Sequence, residues 1–379
     1  MKKLAVLMIG ICLISTMILI PSTSVVHGNR TIPVGSYWYV WYGYDSGSTS
    51  WTGGDGTYHW NYGSDVVVDS PVIGYYASLN NETIKWQIDC MKASGLSFAI
   101  ISWWGWGIKD FSQPGTIDEG LQAINNATIN IFKYLEGSGI AFKIALMVEP
   151  FNVGPMDYSQ VYDYVWDTFY SKYDPWVFKW EDKPLLAWFN PLGPSPIDET
   201  FTNRIVGNPP NDVDWVFWRG MDTFDSHGGT SEPQYYEGNP IISDDGVVHI
   251  IPRYDDFYVY NEGGRSGYMT FDEYYSKGLY AKEWDYVLSN RGSINLVLIS
   301  SWNEYHERTA IEPHIDIAGI NQYYLTNTTL YYHNYLQNSP DPKEWFDLGL
   351  SVYSPVIIAV GVITAIGIVS YGIKRLTED

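Results

Sequence analysis

The sequence predicts an α/β protein whose main domain is a (β/α)₈ barrel of the TIM type, with an N-terminal signal and a C-terminal transmembrane helix. Apolar, β-branched runs alternate with helical patterns along the 379 residues. Strands of continuous apolar character are typical of parallel sheets that are covered on both faces. About seven strand–helix units fit into residues 29–338, which favours a barrel over an open sheet.

The N-terminal end predicts a secretory signal over residues 1–28. Lys2 and Lys3 supply a positive charge, residues 4–20 form an almost unbroken apolar run, and small and polar residues follow from Pro21. This order of segments is that of a signal peptide. An uncleaved signal anchor is the alternative.

Hydrophobic periodicity defines the repeating unit between residues 29 and 338. Ile84, Ile88 and Met91 share one helical face, and Gly95 follows where a left-handed cap is expected. An eighth strand has no comparably clear signal. Helices are predicted over residues 82–94, 118–136, 157–173 and 272–290. Strands are predicted over residues 35–41, 96–103, 142–148, 185–189, 215–218, 247–252 and 294–301.

The C-terminal end predicts a membrane anchor. Residues 353–373 contain no charged side chain, and about 20 apolar residues in a helix cross a hydrocarbon core of roughly 30 Å. Lys374 and Arg375 follow directly, as expected on the cytoplasmic side. We therefore predict a single-pass protein of the cell membrane with an extracellular domain, a stalk over residues 339–352 and a cytoplasmic tail over residues 374–379.

The charge balance excludes one class of partner. The chain has 43 acidic and 22 basic side chains, a formal net charge of −21. Such a surface repels phosphate backbones, so nucleic acid is not an expected partner. Of the two cysteines, Cys12 lies in the signal and Cys90 within a predicted helix. The domain therefore depends on its core rather than on a disulfide.

Aromatic and charged residues follow the predicted strands, where the functional residues of a parallel barrel gather. Sugars have apolar C–H faces and hydroxyl edges, so a glycan site needs flat aromatic rings beside carboxylates, amides and arginines. The sequence therefore predicts an oligosaccharide or polysaccharide as substrate. The substrate-binding candidates are Trp41, Tyr42, His59, Trp103, Trp104, Trp106, Glu149, Arg253, Asn303 and His306.

Glu304 and Glu307 are the catalytic candidates, because they directly follow the most apolar strand. Glycoside hydrolysis needs one acid for the leaving oxygen and a second group, often a carboxylate, that supports attack at the anomeric carbon. If the loop turns helically, residues three apart lie on one face, about 5–6 Å apart at Cβ. Two carboxylates so close favour one remaining protonated, as an acid requires. A solvated helix face is the alternative.

Other chemistries have weaker signals. His306, Glu307, Glu312, His314 and Asp316 form a cluster, but their spacing is not that of a zinc site, and we predict no catalytic metal and no cofactor. No Gly-x-Ser-x-Gly motif suggests a serine nucleophile. No Gly-x-Gly-x-x-Gly follows the first strand, which argues against dinucleotide binding.

Two parts of the sequence carry a family resemblance. Residues 302–313, Trp-Asn-Glu-Tyr-His-Glu-Arg-Thr-Ala-Ile-Glu-Pro, resemble the Asn-Glu-Trp-His-Glu-Gly-Thr-x-Ile-Glu signature of glycoside hydrolase family 99, the endo-α-mannosidase group. Tyr39-Val40-Trp41-Tyr42-Gly43 and His59-Trp60-Asn61 are similar to the opening Tyr-x-Trp-Tyr-Gly and His-Trp elements of that family. The motifs have the same order across most of the predicted domain.

The resemblance implies a (β/α)₈ barrel without a metal and retaining endo-hydrolysis of α-mannosides through a 1,2-anhydro sugar. It implies that Glu304 is the base on the 2-hydroxyl, that Glu307 is the acid/base and that Glu149 binds substrate. The sequence departs from the family pattern at Tyr305, where Trp is expected, and at Arg308, where Gly is expected. We expect so large a cation to reshape the sugar subsites.

Two alternatives belong to other functional classes. One is a non-catalytic glycan-binding or surface-layer protein on the same barrel. The other is an anchored hydrolase of another α-linked glycan, such as an α-glucan. The pair of carboxylates argues against the first, because a site without catalysis has no physical reason to crowd two negative charges.

Overall fold

The computed structural model describes residues 31–43, 60–62, 65–67, 69–108, 117–150, 157–189, 198–206, 216–217, 240–253, 278–316 and 323–338. The predicted signal, stalk, membrane helix and tail lie outside these residues, as does His59. Within the described ranges, no helix is both long and apolar enough to cross a membrane.

Thirteen strands and five α-helices form the described part of the chain. The strands are β1 (Val34–Tyr39), β2 (Asn61–Tyr62), β3 (Asp65–Val66), β4 (Ser70–Pro71), β5 (Phe98–Trp103), β6 (Lys143–Val148), β7 (Lys179–Trp180), β8 (Lys183–Phe189), β9 (Thr202–Val206), β10 (Val216–Phe217), β11 (Val247–Ile250), β12 (Leu296–Ile299) and β13 (His314–Ile315). The helices are α1 (Asn81–Ala93), α2 (Glu119–Ser138), α3 (Tyr158–Val165), α4 (Leu279–Ser289) and α5 (Tyr324–Asn338).

The central feature is a sheet of eight parallel strands in the order β10-β9-β8-β6-β5-β1-β12-β11. β7 adds an antiparallel pair to β8. The end strands β10 and β11 approach within 8 Å between Cα atoms, although no ladder joins them in the described ranges. The sheet is therefore curled in the manner of a TIM barrel, as the sequence predicted.

The sheet separates two apolar layers. Alternate residues of β5 show the division, because Ala99, Ile101 and Trp103 pack towards the helices while Phe98 and Ile100 face the opposite side. The Phe98 ring stacks on Phe178 with centroids 3.7 Å apart. A Cβ on Gly35 of β1 would lie 2.3 Å from the Phe98 ring, so glycine is required there.

The helices begin at the capping residues that the sequence offers. The Asn80 side chain accepts hydrogen bonds from two backbone N–H groups at the start of α1, and Asp118 does the same for α2. Gly95 follows α1 with φ of 88°, which confirms the predicted left-handed cap. α3 continues as a π-helical turn over Trp166–Tyr170, within the predicted helix 157–173.

Two elements lack a strong sequence signal. β9 is polar at three of its five positions but buried, because its polar groups are paired. The Asn203 amide oxygen accepts from the Tyr162 hydroxyl at 2.7 Å and from Trp188 Nε1 at 3.1 Å, and Arg204 forms an ion pair with Asp245. α5 has mixed polarity without a clear apolar stripe.

Candidate active site

Several predicted site residues follow the carboxyl ends of four adjacent strands, β6, β5, β1 and β12. They are Glu149, Trp104, Trp41, Tyr42, Glu304 and Glu307. In register, Tyr39 at the end of β1 lies beside Ser102 of β5, and Trp103 lies beside Val148 of β6. The segments that follow these strands therefore come to the same edge of the sheet, the position of active sites in parallel barrels.

The segment after β12 forms a tight helical turn. The Thr309 N–H donates to the Glu304 carbonyl at 3.1 Å, and the Arg308 N–H donates to the Tyr305 carbonyl at 3.3 Å. Arg308 is left-handed, with φ of 53°. These features define a Schellman motif. Glu304 and Glu307 are three positions apart within this turn, where Cβ atoms of such residues lie about 5–6 Å apart.

The backbone N–H and the ring of His306 lie against the Glu304 carboxylate. Its Oε1 accepts from the His306 N–H at 2.9 Å and lies 3.3 Å from His306 Nδ1. The Glu304 N–H donates to Ser301 Oγ at 2.8 Å. Glu304 is buried, whereas Glu307 is half-buried. The turn thus holds one carboxylate in a fixed position and leaves the other partly open to solvent.

A stack of aromatic rings supports this turn. Tyr42 lies parallel to the His306 ring at 6.2 Å and stacks on Trp60 at 4.0 Å. Its hydroxyl donates to the Asn303 carbonyl at 2.9 Å and accepts from the Tyr305 N–H at 3.1 Å. Burial, together with the nearby negative charge of Glu304, raises the pKa of Tyr42 well above its usual value, so Tyr42 remains a neutral hydroxyl.

Asn303 joins the turn to β1. Its amide oxygen accepts from the Tyr39 N–H at 2.8 Å, and its Nδ2 donates to the Tyr39 carbonyl at 2.8 Å and to the Tyr76 hydroxyl at 3.0 Å. The side chain is fully buried. The structure therefore places this predicted substrate-binding residue behind the site, where it positions Glu304.

Glu149 lies at the same edge, directly after β6. It is buried, and its Oε1 accepts from the Ser102 hydroxyl at 2.8 Å. Trp104 Nε1 donates to the same Ser102 oxygen at 3.1 Å. The Trp104 ring in turn lies 6.1 Å from Trp41, which follows β1. Glu149 and the two half-buried indole rings therefore form a continuous rim across three strands.

Three of the predicted substrate-binding tryptophans, Trp103, Trp104 and Trp106, occupy different places. Trp103 is fully buried in the core, and its Nε1 donates to Asn125 of α2 at 3.0 Å. Trp106 is half-buried and stacks on Tyr164 at 4.5 Å, next to α2 and α3. Trp104 is the member of this group that the structure places beside Glu149.

Arg253 lies in a buried ion network below the turn. Its Nη2 donates to Asp69 and its Nε donates to the Arg308 carbonyl, and its side chain is 1% exposed. Arg308 also pairs with Asp69. Both guanidinium groups are buried. The described contacts of the Arg308 side chain are with Asp69 and Asp316, and its effect on the sugar subsites stays a prediction.

A second buried network surrounds Glu312. Its carboxylate accepts from the hydroxyls of Tyr305 at 2.7 Å and Tyr76 at 2.8 Å, and from Gln87 Nε2 at 2.8 Å. Burial raises the pKa of Glu312 to about 7, although the three donors lower it. His314 Nδ1 lies 2.6 Å from the Glu312 carbonyl.

Three members of the cluster His306, Glu307, Glu312, His314 and Asp316 have partners within the protein. Glu312 and His314 hydrogen-bond to protein partners, and Asp316 lies 3.7 Å from Arg308. No group of three potential ligands with the geometry of a metal site occurs within the ranges that the structure describes.

Sequence reasoning missed several residues behind the site. Ser102, Asp69 and Tyr76 bind the side chains of predicted site residues or of the turn, and Gln87 binds Glu312. The sequence does single out Asp69, because a charged residue directly follows three consecutive valines there. Gln87 has no such signal, since it lies among ordinary helical positions of α1.

Solved structures show what this architecture resembles. The structure of the family GH99 endo-α-mannosidase from Bacteroides thetaiotaomicron, free or in complex with bis-tris propane, matches with a TM-score of 0.54 and 16% identity, over 80% of this chain and 97% of that chain. A structure named a glycoside hydrolase-like protein matches with a TM-score of 0.50 and 14% identity, over 82% and 95%. No protein-family model and no curated protein matches the sequence. The described part of the chain therefore shares its fold with a family 99 endo-α-mannosidase.

Proposed function

We propose that this protein is a retaining, endo-acting glycoside hydrolase that cleaves α-mannosidic or related α-linked glycans. The observation that carries the proposal is the turn after β12, which presents Glu304 and Glu307 beside the aromatic rim on a fold shared with an endo-α-mannosidase. Two adjacent carboxylates supply the acid and the supporting base that glycosidic cleavage requires.

Glu304 is the proposed base on the sugar 2-hydroxyl. Its carboxylate is held by the His306 N–H, so it can receive a proton from a hydroxyl without a change in position. The 2-oxygen then attacks the anomeric carbon and forms a 1,2-anhydro sugar as the glycosidic bond breaks. Water opens that ring in the second step, and the 2-oxygen regains its proton.

Glu307 is the proposed acid and then base. It protonates the leaving oxygen in the first step and removes a proton from the attacking water in the second. Its half-buried position in the turn gives it access to both a glycan and a water molecule. Trp41, Trp104 and Glu149 would bind the sugar by ring stacking and by hydrogen bonds to hydroxyls.

The proposed location is the cell membrane, with the catalytic domain outside and one C-terminal helix as anchor. This part of the proposal depends on the apolar residues 353–373 and on the basic pair Lys374 and Arg375 after them. A glycan in the surroundings of the cell or on its surface would then be the substrate.

A substrate screen tests the proposal. The purified protein is incubated with defined oligosaccharides of α-mannan and α-glucan, and the anomeric configuration of the first product is followed by NMR. We expect internal cleavage of an α-mannoside with retention. Cleavage of α-glucan alone would assign another substrate, inversion would exclude the anhydro-sugar route, and glycan binding without cleavage would indicate a non-catalytic protein.

A further inference from the structure

The turn that carries the two carboxylates ends at an unexpected residue. Arg308 has φ of 53° and occupies the left-handed position of the Schellman motif, which glycine usually fills. A side chain in this conformation brings Cβ close to the following carbonyl oxygen, which disfavours the left-handed form. The turn therefore needs contacts elsewhere that hold Arg308 in place.

The Arg308 side chain makes such contacts with Asp69. Arg308 Nε donates to Asp69 Oδ2 at 3.0 Å, and Arg308 Nη2 donates to Asp69 Oδ1 at 3.1 Å. Two parallel bonds between a guanidinium and a carboxylate fix both distance and orientation. Asp69 is fully buried and Arg308 is nearly so, so water does not compete for these bonds.

The Arg253 side chain contacts the backbone of the same turn. Its Nη2 donates to Asp69, and its Nε donates to the Arg308 carbonyl. His314 Nε2 lies 2.9 Å from Arg253 Nη2 and must accept, because a guanidinium can only donate. Burial raises the pKa of Asp69, but the charges of Arg253 and Arg308 outweigh it and hold that pKa at about 2. Asp69 is thus an anion shared by two cations.

We propose that Asp69 and Arg308 are positioning residues that hold the turn of residues 304–308 in its left-handed closure and so fix where the Glu304 and Glu307 carboxylates point. The inference rests on the proposed function of these two carboxylates. As positioning residues, Asp69 and Arg308 act through the turn and not on the substrate itself. The buried pair takes the place of glycine, because side-chain contacts offset a backbone conformation that glycine adopts without support.

Two substitutions at one position separate positioning from simple packing. Arg308→Ala and Arg308→Gly remove the same guanidinium but differ in backbone freedom. We expect Arg308→Ala to lower kcat by about tenfold or more, as small misplacements of catalytic groups do, with KM within about twofold of wild type. We expect Arg308→Gly to recover most of that loss.

Asp69→Asn provides an independent variant. It should lower kcat as Arg308→Ala does, and adding Arg308→Gly to it should raise kcat again. Arg291 provides the matched control, since it precedes β12 at the opposite end of the strand and donates to the Leu336 carbonyl. Arg291→Ala and Arg291→Gly should both leave kcat unchanged. If Asp69→Asn does not fold, the comparison of kcat between Arg308→Ala and Arg308→Gly tests the inference by itself.

Crystal structures of the Arg308 variants separate this inference from the proposed function. The Glu304 and Glu307 carboxylates should shift in Arg308→Ala and keep their places in Arg308→Gly, whether or not the wild type cleaves a glycan. A wild type that cleaves no glycan would overturn the proposed function but not this geometry. Equal kcat in the Ala and Gly variants, or an unmoved turn in both, would overturn the inference.

Discussion

The Tyr305 hydroxyl donates a 2.7 Å hydrogen bond to the Glu312 carboxylate. This bond links the turn of residues 304–308 to the C-terminal part of the sequence motif 302–313. Tyr305 occupies the position where the family pattern has Trp. Its hydroxyl gives the turn a polar anchor, and Tyr76 supplies a second one to the same oxygen at 2.8 Å. The hydrogen-bond network around Glu312 is therefore connected to the turn that carries Glu304 and Glu307.

We expect the wild type to lose stability as Glu312 ionises with rising pH, and we expect Glu312→Gln to lack this loss. The folded-state pKa of Glu312 is about 7, above the ordinary 4.5, because of burial. Between these values the folded protein binds more protons than the unfolded chain, so the stability contributed by this group falls as pH rises. The free energy of unfolding of the variant, relative to wild type, should increase by about 3 kcal/mol between pH 4.5 and pH 8.

Urea denaturation at several pH values measures this difference. His314, whose pKa burial lowers to about 4, titrates in both proteins, so its effect cancels. Glu136→Gln on the exposed face of α2 makes the same chemical change outside this network and is the control. If the difference for Glu312→Gln does not change with pH, Glu312 does not take up a proton in this range.

A second prediction separates two neighbouring tryptophans. Trp104 lies on the rim beside Glu149, whereas Trp103 is fully buried in the core. Trp104→Ala should reduce kcat/KM by the equivalent of roughly 1–3 kcal/mol if its ring stacks on sugar, and it should cost little stability. Trp103→Ala should reduce the free energy of unfolding by about 3–5 kcal/mol.

Enzyme kinetics and thermal or urea unfolding on the same two variants check this division. Trp103→Ala is the control for effects of lost packing on activity, since it also removes an indole ring but not one that lies on the rim. If Trp104→Ala leaves kcat/KM unchanged and reduces stability, Trp104 packs against the core and does not bind sugar.

Hydrophobic periodicity predicted the parts of the fold whose burial depends on apolar side chains. β5, β6 and β12 are mostly apolar, and all three were predicted. β9 was not, because its burial depends on partners distant in sequence, such as Asp245 for Arg204. The same limit applies at the site. Glu304 has a local signal after a strand, whereas the orientation of Arg308 depends on Asp69, 239 residues away.

The prediction of Arg253 as a substrate ligand illustrates the same limit. A charged residue after a predicted strand is expected at the rim of a barrel. Its ion pair with Asp69 is set by tertiary structure, because Asp69 precedes β4 and β4 pairs with β13, which follows the turn in sequence. Sequence order could place Arg253 near the site but could not show which way its side chain points.

A third prediction concerns topology and tests residues outside the described ranges. If residues 353–373 span the membrane with Lys374 inside, protease added to intact cells should release a fragment of about the size of residues 29–338. An epitope tag after Asp379 should remain protected. Immunoblots with and without detergent provide the measurement and its control. A barrel that resists protease until the cells are permeabilised would place the domain on the cytoplasmic side.

The last prediction tests the roles of the two carboxylates. Glu307 is proposed to protonate the leaving oxygen, so Glu307→Gln should abolish turnover of natural glycans while the dissociation constant for substrate stays near that of wild type. A glycosyl fluoride needs no proton on its leaving group, so part of the rate should return with that substrate. Glu304→Gln should not regain activity in this way, because its proposed target is the 2-hydroxyl.

Substrates altered at the 2-position complete the test. If the 2-oxygen is the nucleophile, 2-deoxy and 2-fluoro analogues should be inert with the wild type, even with a good leaving group. Slow turnover of the 2-deoxy analogue with a covalent Glu304 adduct, detected by mass spectrometry, would instead assign Glu304 as an ordinary carboxylate nucleophile. Full activity of both Gln variants would exclude Glu304 and Glu307 from the mechanism, because an amide side chain can act neither as the proton donor nor as the base.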